Sequence, residues 1–233
     1  MTPRLVGLLG GTFDPIHIGH LKAARAALDV LGLSEVLLIP AHHPPHRDTE
    51  PVASPYHRFA MVALAVSETP GLVASDLDMG TAGPSYTSTT LRRLHSLGLS
   101  ALQIFFITGL DAFAEIATWK DYPGLFDLSH FVVVDRPEVD ALSPEAFAGR
   151  FPALAHRVWP LGNAPGVEGA IRRPVPDLAN AEHPWVFRLA ADTPNVSSTE
   201  IRRRLSAGDR IDGLVPEAVA RHIARHGLYQ AAE

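Results

Sequence analysis

Short apolar runs alternate with longer amphipathic stretches along this chain. The first run, Leu5–Leu9, carries no polar residue and is short enough for a buried strand. From Ile18 to about Leu31, Leu21, Ala24, Leu28 and Leu31 fall on one helical face, and Gly32 follows as a stop. Glu35–Pro40 is a second strand after a short loop, and a β-α-β unit of this length implies parallel strands with a right-handed crossover. The alternation continues. Pro55 to about Ser67 predicts a helix, Leu72–Ser75 a short strand, and Tyr86–Leu97 a helix entered through Thr and Ser. Leu102–Ile107 and His130–Val134 are apolar strands, and Val186–Leu189 is a last one. Helices at Thr199–Leu205 and Pro216–His226 follow, with Gly227 past the end, so the closing helices occupy 199–226. Residues 160–184, rich in Pro, Gly, Asn and Ala, read as a long loop or insertion. There is no internal repeat. The pattern is that of an α/β protein with a doubly wound parallel sheet.

In such sheets ligands bind at the carboxyl ends of the strands, near the point where strand order reverses. Gly10-Gly11-Thr12-Phe13-Asp14-Pro15-Ile16-His17-Ile18-Gly19-His20-Leu21 lies there, after the first strand. Glycines let a backbone approach phosphate closely, and a helix N-terminus offers unpaired N–H groups and a favourable dipole. His17 and His20, three apart, share a helix face and can aim at one phosphate. An ordinary strand-to-helix turn, with Gly10 and Gly11 supplying unusual backbone angles, is the bland alternative. The histidine pair weighs against it, because two charged imidazoles at a helix start are unfavourable without an anion. No Gly-Lys-Ser/Thr follows, and the glycine spacing is not that of a dinucleotide fingerprint.

At 233 residues the chain suits one sizeable core, so a single domain over 1–233 is expected. Net charge is −5 and Lys occurs only at 22 and 120, which disfavours a nucleic-acid binder. With no Cys, disulfides, thiolate chemistry and Cys-based zinc sites are excluded. The apolar runs are too short to span a membrane, and a cytoplasmic location is the default.

Three further constellations stand near strand ends. Val196-Ser197-Ser198-Thr199-Glu200-Ile201-Arg202 makes a second phosphate cradle of hydroxyls, helix N-terminus and fixed charge; simple N-capping is its bland reading. His42-His43-Pro44-Pro45-His46-Arg47 sits in the long loop 41–54, where a solvated loop or a weak His cluster is the alternative. Pro84-Ser85-Tyr86-Thr87 and Gly109-Leu110-Asp111 with Trp119 could be a helix cap and a packing aromatic.

The first motif resembles that of the nucleotidyltransferase superfamily carrying a His/Thr-x-Gly-His pair, and Val196–Arg202 is similar to its second motif, Ile-Ser-Ser-Thr-x-Ile-Arg. The chain most resembles the bacterial nicotinate-mononucleotide adenylyltransferases. The resemblance implies a Rossmann-like nucleotidyltransferase fold. It also implies a reaction of ATP with nicotinate mononucleotide to give deamido-NAD and pyrophosphate, in NAD biosynthesis. Catalytic roles then fall to His17, His20 and Arg202. ATP binding falls to Gly10, Gly11, Thr12, Phe13, His17, His20, Ser197, Ser198, Thr199 and Arg202. The mononucleotide falls to His46, Arg47, Ser85, Tyr86, Thr87, Gly109, Asp111, Trp119 and Arg136, with the ring stacked on Trp119. Lys120 stands where some family members have an aromatic residue. Mg²⁺ is expected to arrive on ATP, and no resident protein metal site is expected. The alternatives are adenylyl transfer to nicotinamide mononucleotide or another phosphorylated acceptor, and, in a different class, a non-catalytic ATP-binding regulator.

Overall fold

The computed structural model describes residues 4–45, 51–80, 83–135, 149–160 and 181–230. Among these, seven strands form one parallel sheet in the order β3-β2-β1-β4-β5-β7-β6. The strands are β1 (Val6–Gly11), β2 (Glu35–Pro40), β3 (Leu72–Ala74), β4 (Ile104–Gly109), β5 (His130–Asp135), β6 (Val158–Pro160) and β7 (Val186–Ala190). The helices are α1 (Ile18–Leu31), α2 (Pro55–Val66), α3 (Thr87–Ser96), α4 (Leu110–Ala114), α5 (Ser198–Ser206) and α6 (Glu217–Arg225).

Alternation along each strand splits the core into two layers. Leu9, Phe105, Ile107, Val132 and Phe187 face α1, α2, α5 and α6. Val6, Leu8, Phe106, Phe131 and Val133 face α3, α4 and the aromatic group Phe113, Phe126 and Phe151. β1 and β4 are neighbours, and the chain leaves them toward opposite faces. This is the switch point, and it opens a crevice at their carboxyl ends.

The expected elements are present, with physical differences at their ends. β1 runs on through Gly10 and Gly11, which pair with Ile39 and Pro40 of β2. Neither glycine takes a left-handed backbone; Phe13 does, at φ 51°. β4 starts at Ile104 because Ala101–Gln103 forms a 3₁₀ turn, with the Ser100 N–H donating to Gln103 Oε1 at 3.0 Å. β6 and α4 were not foreseen; three and five residues are too few for a periodic signal. Most of the expected insertion at 160–184 lies outside the described residues.

A buried ionic centre ties the loops of the crevice together. The inward stripe of α2 is Arg58, Met61, Val62, Ala65 and Val66, so a guanidinium takes a core position. Arg58 is fully buried. Its Nη1 donates to the carbonyls of Thr12 and Ala41, each at 2.7 Å, its Nη2 to His42 O at 3.1 Å and its Nε to Ala53 O at 3.2 Å. Asp14, 1% exposed, accepts from the N–H groups of Val52 and Ala53 and from the Tyr229 hydroxyl, at 2.9, 3.1 and 2.8 Å. Burial, then the Asp14 charge, pushes the Tyr229 phenol above its ordinary range, so it stays a donor. The loops after β1 and β2, the start of α2 and the segment after α6 thus meet at one carboxylate and one guanidinium.

His130 opens β5 beneath the core. Its Nδ1 accepts the Trp185 N–H at 2.9 Å, and its ring stacks on Phe105 at 4.5 Å. Burial lowers its pKa to about 4. The folded chain therefore refuses a proton that the unfolded chain accepts below about pH 6.5. Stability is full above that value and is lost as pH falls toward 4, by about 3 kcal/mol in total.

Two outcomes are expected. Arg58→Leu strips the donors from the carbonyls of Thr12, Ala41, His42 and Ala53, lowering unfolding free energy by about 3–5 kcal/mol in urea titrations; a loss under about 1 kcal/mol would show that water replaces the guanidinium. His130→Asn, which keeps an acceptor for Trp185, flattens the fall in stability between neutral pH and about pH 4. An unchanged slope would place the acid sensitivity on another group.

Candidate active site

The loop after β1 delivers two imidazoles to the start of α1. His17 is the N-cap residue and His20 the third residue of the helix. The His17 N–H donates to His20 Nδ1 at 3.3 Å, and the rings stack at 3.7 Å with 24° between their planes. A neutral His20 that accepts at Nδ1 carries its proton on Nε2, which makes Nε2 a donor. Phe13 lies under His20, edge to face at 5.0 Å, and is buried. A Cβ at Gly19 would stand 3.1 Å from the His17 ring and 3.2 Å from Val196, so a side chain there would crowd both.

α5 meets this turn from the far end of the chain. Ser197 caps it, accepting the Glu200 N–H at 3.2 Å. Ser198 Oγ donates to Pro15 O at 2.9 Å. Arg202 donates to Asp14 O at 2.6 Å through Nη1 and to Thr199 Oγ1 at 3.3 Å through Nη2. Ser197 thus caps the helix, and Ser198 fastens it to the first motif.

Two cavities flank β1 and β4. One, of about 240 Å³, is lined by Gly10, His17, Gly19, His20, Thr108, Gly109, Asp111, Thr193, Pro194 and Val196 among others. The other, of about 270 Å³, is lined by Gly10, Gly11, Thr12, Pro44, Pro45, Asp78, Ser85, Thr87, Phe106, Thr108 and Trp119 among others. They share Gly10, Thr108 and Ala112, so a molecule in each would meet above the ends of β1 and β4. Trp119 is half-buried and stands edge to face with Phe106 at 6.0 Å. Ser85 sets this wall: its Oγ accepts the His42 N–H at 3.0 Å, and its N–H donates to His43 O at 2.9 Å.

The expected residues divide between these places. Gly109, at the end of β4, and Asp111, in α4, line the histidine cavity, while Trp119 lines the other. Tyr86 lines neither cavity; it precedes α3 as the N-cap residue, and its ring lies 4.6 Å from Lys120 Nζ. The Phe13 side chain belongs to the core, leaving its backbone to the turn. Ser197, Ser198, Thr199 and Arg202 lie beside the histidine turn rather than in the cavity lining. His46, Arg47 and Arg136 fall outside the described residues.

Asp78 was not foreseen. It is buried in the wall of the Trp119 cavity, accepting from Thr90 Oγ1 at 3.0 Å and Arg93 Nη1 at 3.1 Å. Burial pushes its carboxyl up, against those two partners. Arg58 and Tyr229 were missed too. The signal for Arg58 was legible, since an arginine occupies the apolar stripe of α2.

The model of the cytidylyltransferase-like family matches residues 8–204. A probable nicotinate-nucleotide adenylyltransferase of Desulfatibacillum aliphaticivorans is 40% identical over 227 residues, covering 96% of this chain and 99% of the relative. One of Chromohalobacter salexigens is 40% identical over 232 residues, covering 97% and 96%. Among solved structures, the nicotinic acid mononucleotide adenylyltransferase of Plasmodium falciparum complexed with NaAD superposes with a TM-score of 0.69 at 16% identity, covering 97% of this chain and 98% of that one. That likeness carries the fold, and the two sequence relatives carry the closer grouping. The chain belongs to the cytidylyltransferase-like family and, within it, to the nicotinate-nucleotide adenylyltransferases.

Proposed function

We propose that this chain joins ATP to nicotinate mononucleotide, giving deamido-NAD and pyrophosphate in NAD biosynthesis. The observation that carries the reading is the stacked His17–His20 pair at the N-terminus of α1, lining one of two adjoining cavities at the switch point. The relatives' names and the NaAD in the Plasmodium structure agree with it.

In this reading ATP takes the histidine cavity and the mononucleotide takes the Trp119 cavity, its ring stacked on the indole. A phosphate oxygen of the mononucleotide attacks the α-phosphorus of ATP. The new O–P bond forms as the bond from the α-phosphorus to the bridging oxygen breaks, and pyrophosphate leaves with that electron pair. The nucleophile is already an anion, so catalysis rests on positioning and on charge stabilisation. His20 Nε2 donates to the developing charge at the α-phosphate, with His17 beside it. Backbone N–H groups of Gly10–Phe13 lie along the same phosphate. Ser198, Thr199 and Arg202 receive the β- and γ-phosphates, Arg202 keeping one hydrogen bond to the Asp14 carbonyl as its anchor. Asp111 reaches the nucleotide ribose, and Ser85 and Thr87 shape the ring cavity. The family resemblance adds His46, Arg47 and Arg136 to the residues that receive the mononucleotide, His46 and Arg47 at its phosphate.

Mg²⁺ comes with ATP. The donor set fits an ion held by phosphates and water: the two cavities have one lining carboxylate each, and Asp78 is engaged by Thr90 and Arg93. The ion would neutralise triphosphate charge.

Pyrophosphate release from ATP, run in parallel with nicotinate and nicotinamide mononucleotides, tests the reading. Release with a large preference for the nicotinate form is expected. Comparable rates would widen the acceptor class, and no release with either would overturn the activity. His20→Ala is expected to lower kcat by about a hundredfold or more without a change in melting temperature; near-normal turnover would remove His20 from the chemistry. Trp119→Ala is expected to raise KM for the mononucleotide well above any rise for ATP, and equal rises would end its role as the ring platform.

A further inference from the structure

Three histidines from two helices meet at a place that lines neither cavity. His57 is the third residue of α2, and its N–H is held by the capping hydroxyl of Ser54 at 3.3 Å. His222 lies on α6, and His226 is its C-cap, four residues on and so on the same face. His57 Nδ1 and His222 Nε2 stand 3.1 Å apart. The three ring pairs have centroid separations of 5.3, 4.9 and 4.5 Å, and one ligand nitrogen from each ring lies within 4.8 Å of the others.

We infer that His57, His222 and His226 form a binding site for a divalent transition-metal ion of the zinc type, which joins α6 to α2. Two imidazole nitrogens bound to one tetrahedral zinc at about 2.0–2.1 Å stand about 3.3 Å apart. The His57–His222 pair is already near that spacing. His226 is exposed, so its ring is at liberty to close the remaining gap. The donor type selects the ion: three imidazoles with no carboxylate favour zinc, nickel or copper over magnesium or calcium. Two half-buried ligands and one exposed ligand leave a fourth position toward solvent, where water completes the shell and the ion has a path in. Arg225 is the neighbouring cation that opposes the ion.

The inference departs from the expectation of no resident metal site. The spacing His222-x-x-x-His226 was the available signal. Its third ligand lies 165 residues earlier, and only the packing of α2 on α6 brings it in.

The test uses the full chain, stripped of metal and titrated with Zn²⁺ by calorimetry, with melting followed in parallel. One ion per chain and a higher melting temperature are expected, since an ion that binds the folded chain stabilises it. His226→Gln, at the exposed position, and His222→Gln are each expected to weaken Zn²⁺ binding by about tenfold or more while melting like the parent without metal. A His42→Gln/His43→Gln variant is expected to bind as the parent does. Absence of stoichiometric binding overturns the inference. So does binding that survives His222→Gln combined with His226→Gln, which places the ion on other histidines. Neither readout depends on adenylyl transfer.

Discussion

The crevice depends on one buried charge arrangement. The Arg58 guanidinium and the Asp14 carboxylate are both removed from solvent, at a desolvation cost of several kcal/mol per ion before compensation. Their hydrogen bonds are made almost entirely with main-chain groups of irregular segments: Thr12, Ala41, His42, Val52 and Ala53. These segments cannot pair with the sheet, so their polar groups need partners of another kind. A planar guanidinium with five donors can address several carbonyls at once, which a lysine cannot. The arrangement therefore converts loops into fixed walls. The histidine turn, the Pro44–Pro45 wall and the start of α2 all take their positions from it.

On that foundation the sheet divides the labour. β1 and β4 end side by side, and each sends its chain to the opposite face. The histidine cavity opens beneath α1 and the segment before α5, and the indole cavity opens beside α3. Gly10, shared by both, has no side chain to fill the space between them. The two serines of the second motif act on different neighbours, one on its own helix and one on the first motif, so a single dipeptide both ends a loop and locks two distant segments together.

The order of the longer strands and helices was legible in the sequence because these elements have a period or an apolar run long enough to read, whereas β6 and α4 do not. The boundaries of α1 and β2 were readable to the residue, since Gly32 takes the left-handed conformation at φ 62° and Pro40 ends the strand. The two family motifs, Gly10–Leu21 and Val196–Arg202, were legible because each is contiguous. What escaped depends on distant pairing. Asp111 reads as a neighbour of Trp119 along the chain, yet the short α4 separates them into different cavities. Arg58 reads as a solvated helix charge until its register on α2 is counted. Asp78 has no local pattern at all, and the His57–His222 pair exists only through tertiary packing.

Tyr229 touches Asp14 across 215 residues of sequence. That one hydrogen bond couples the segment after α6 to the turn that carries His17 and His20, so a loosening of the former is felt at the latter.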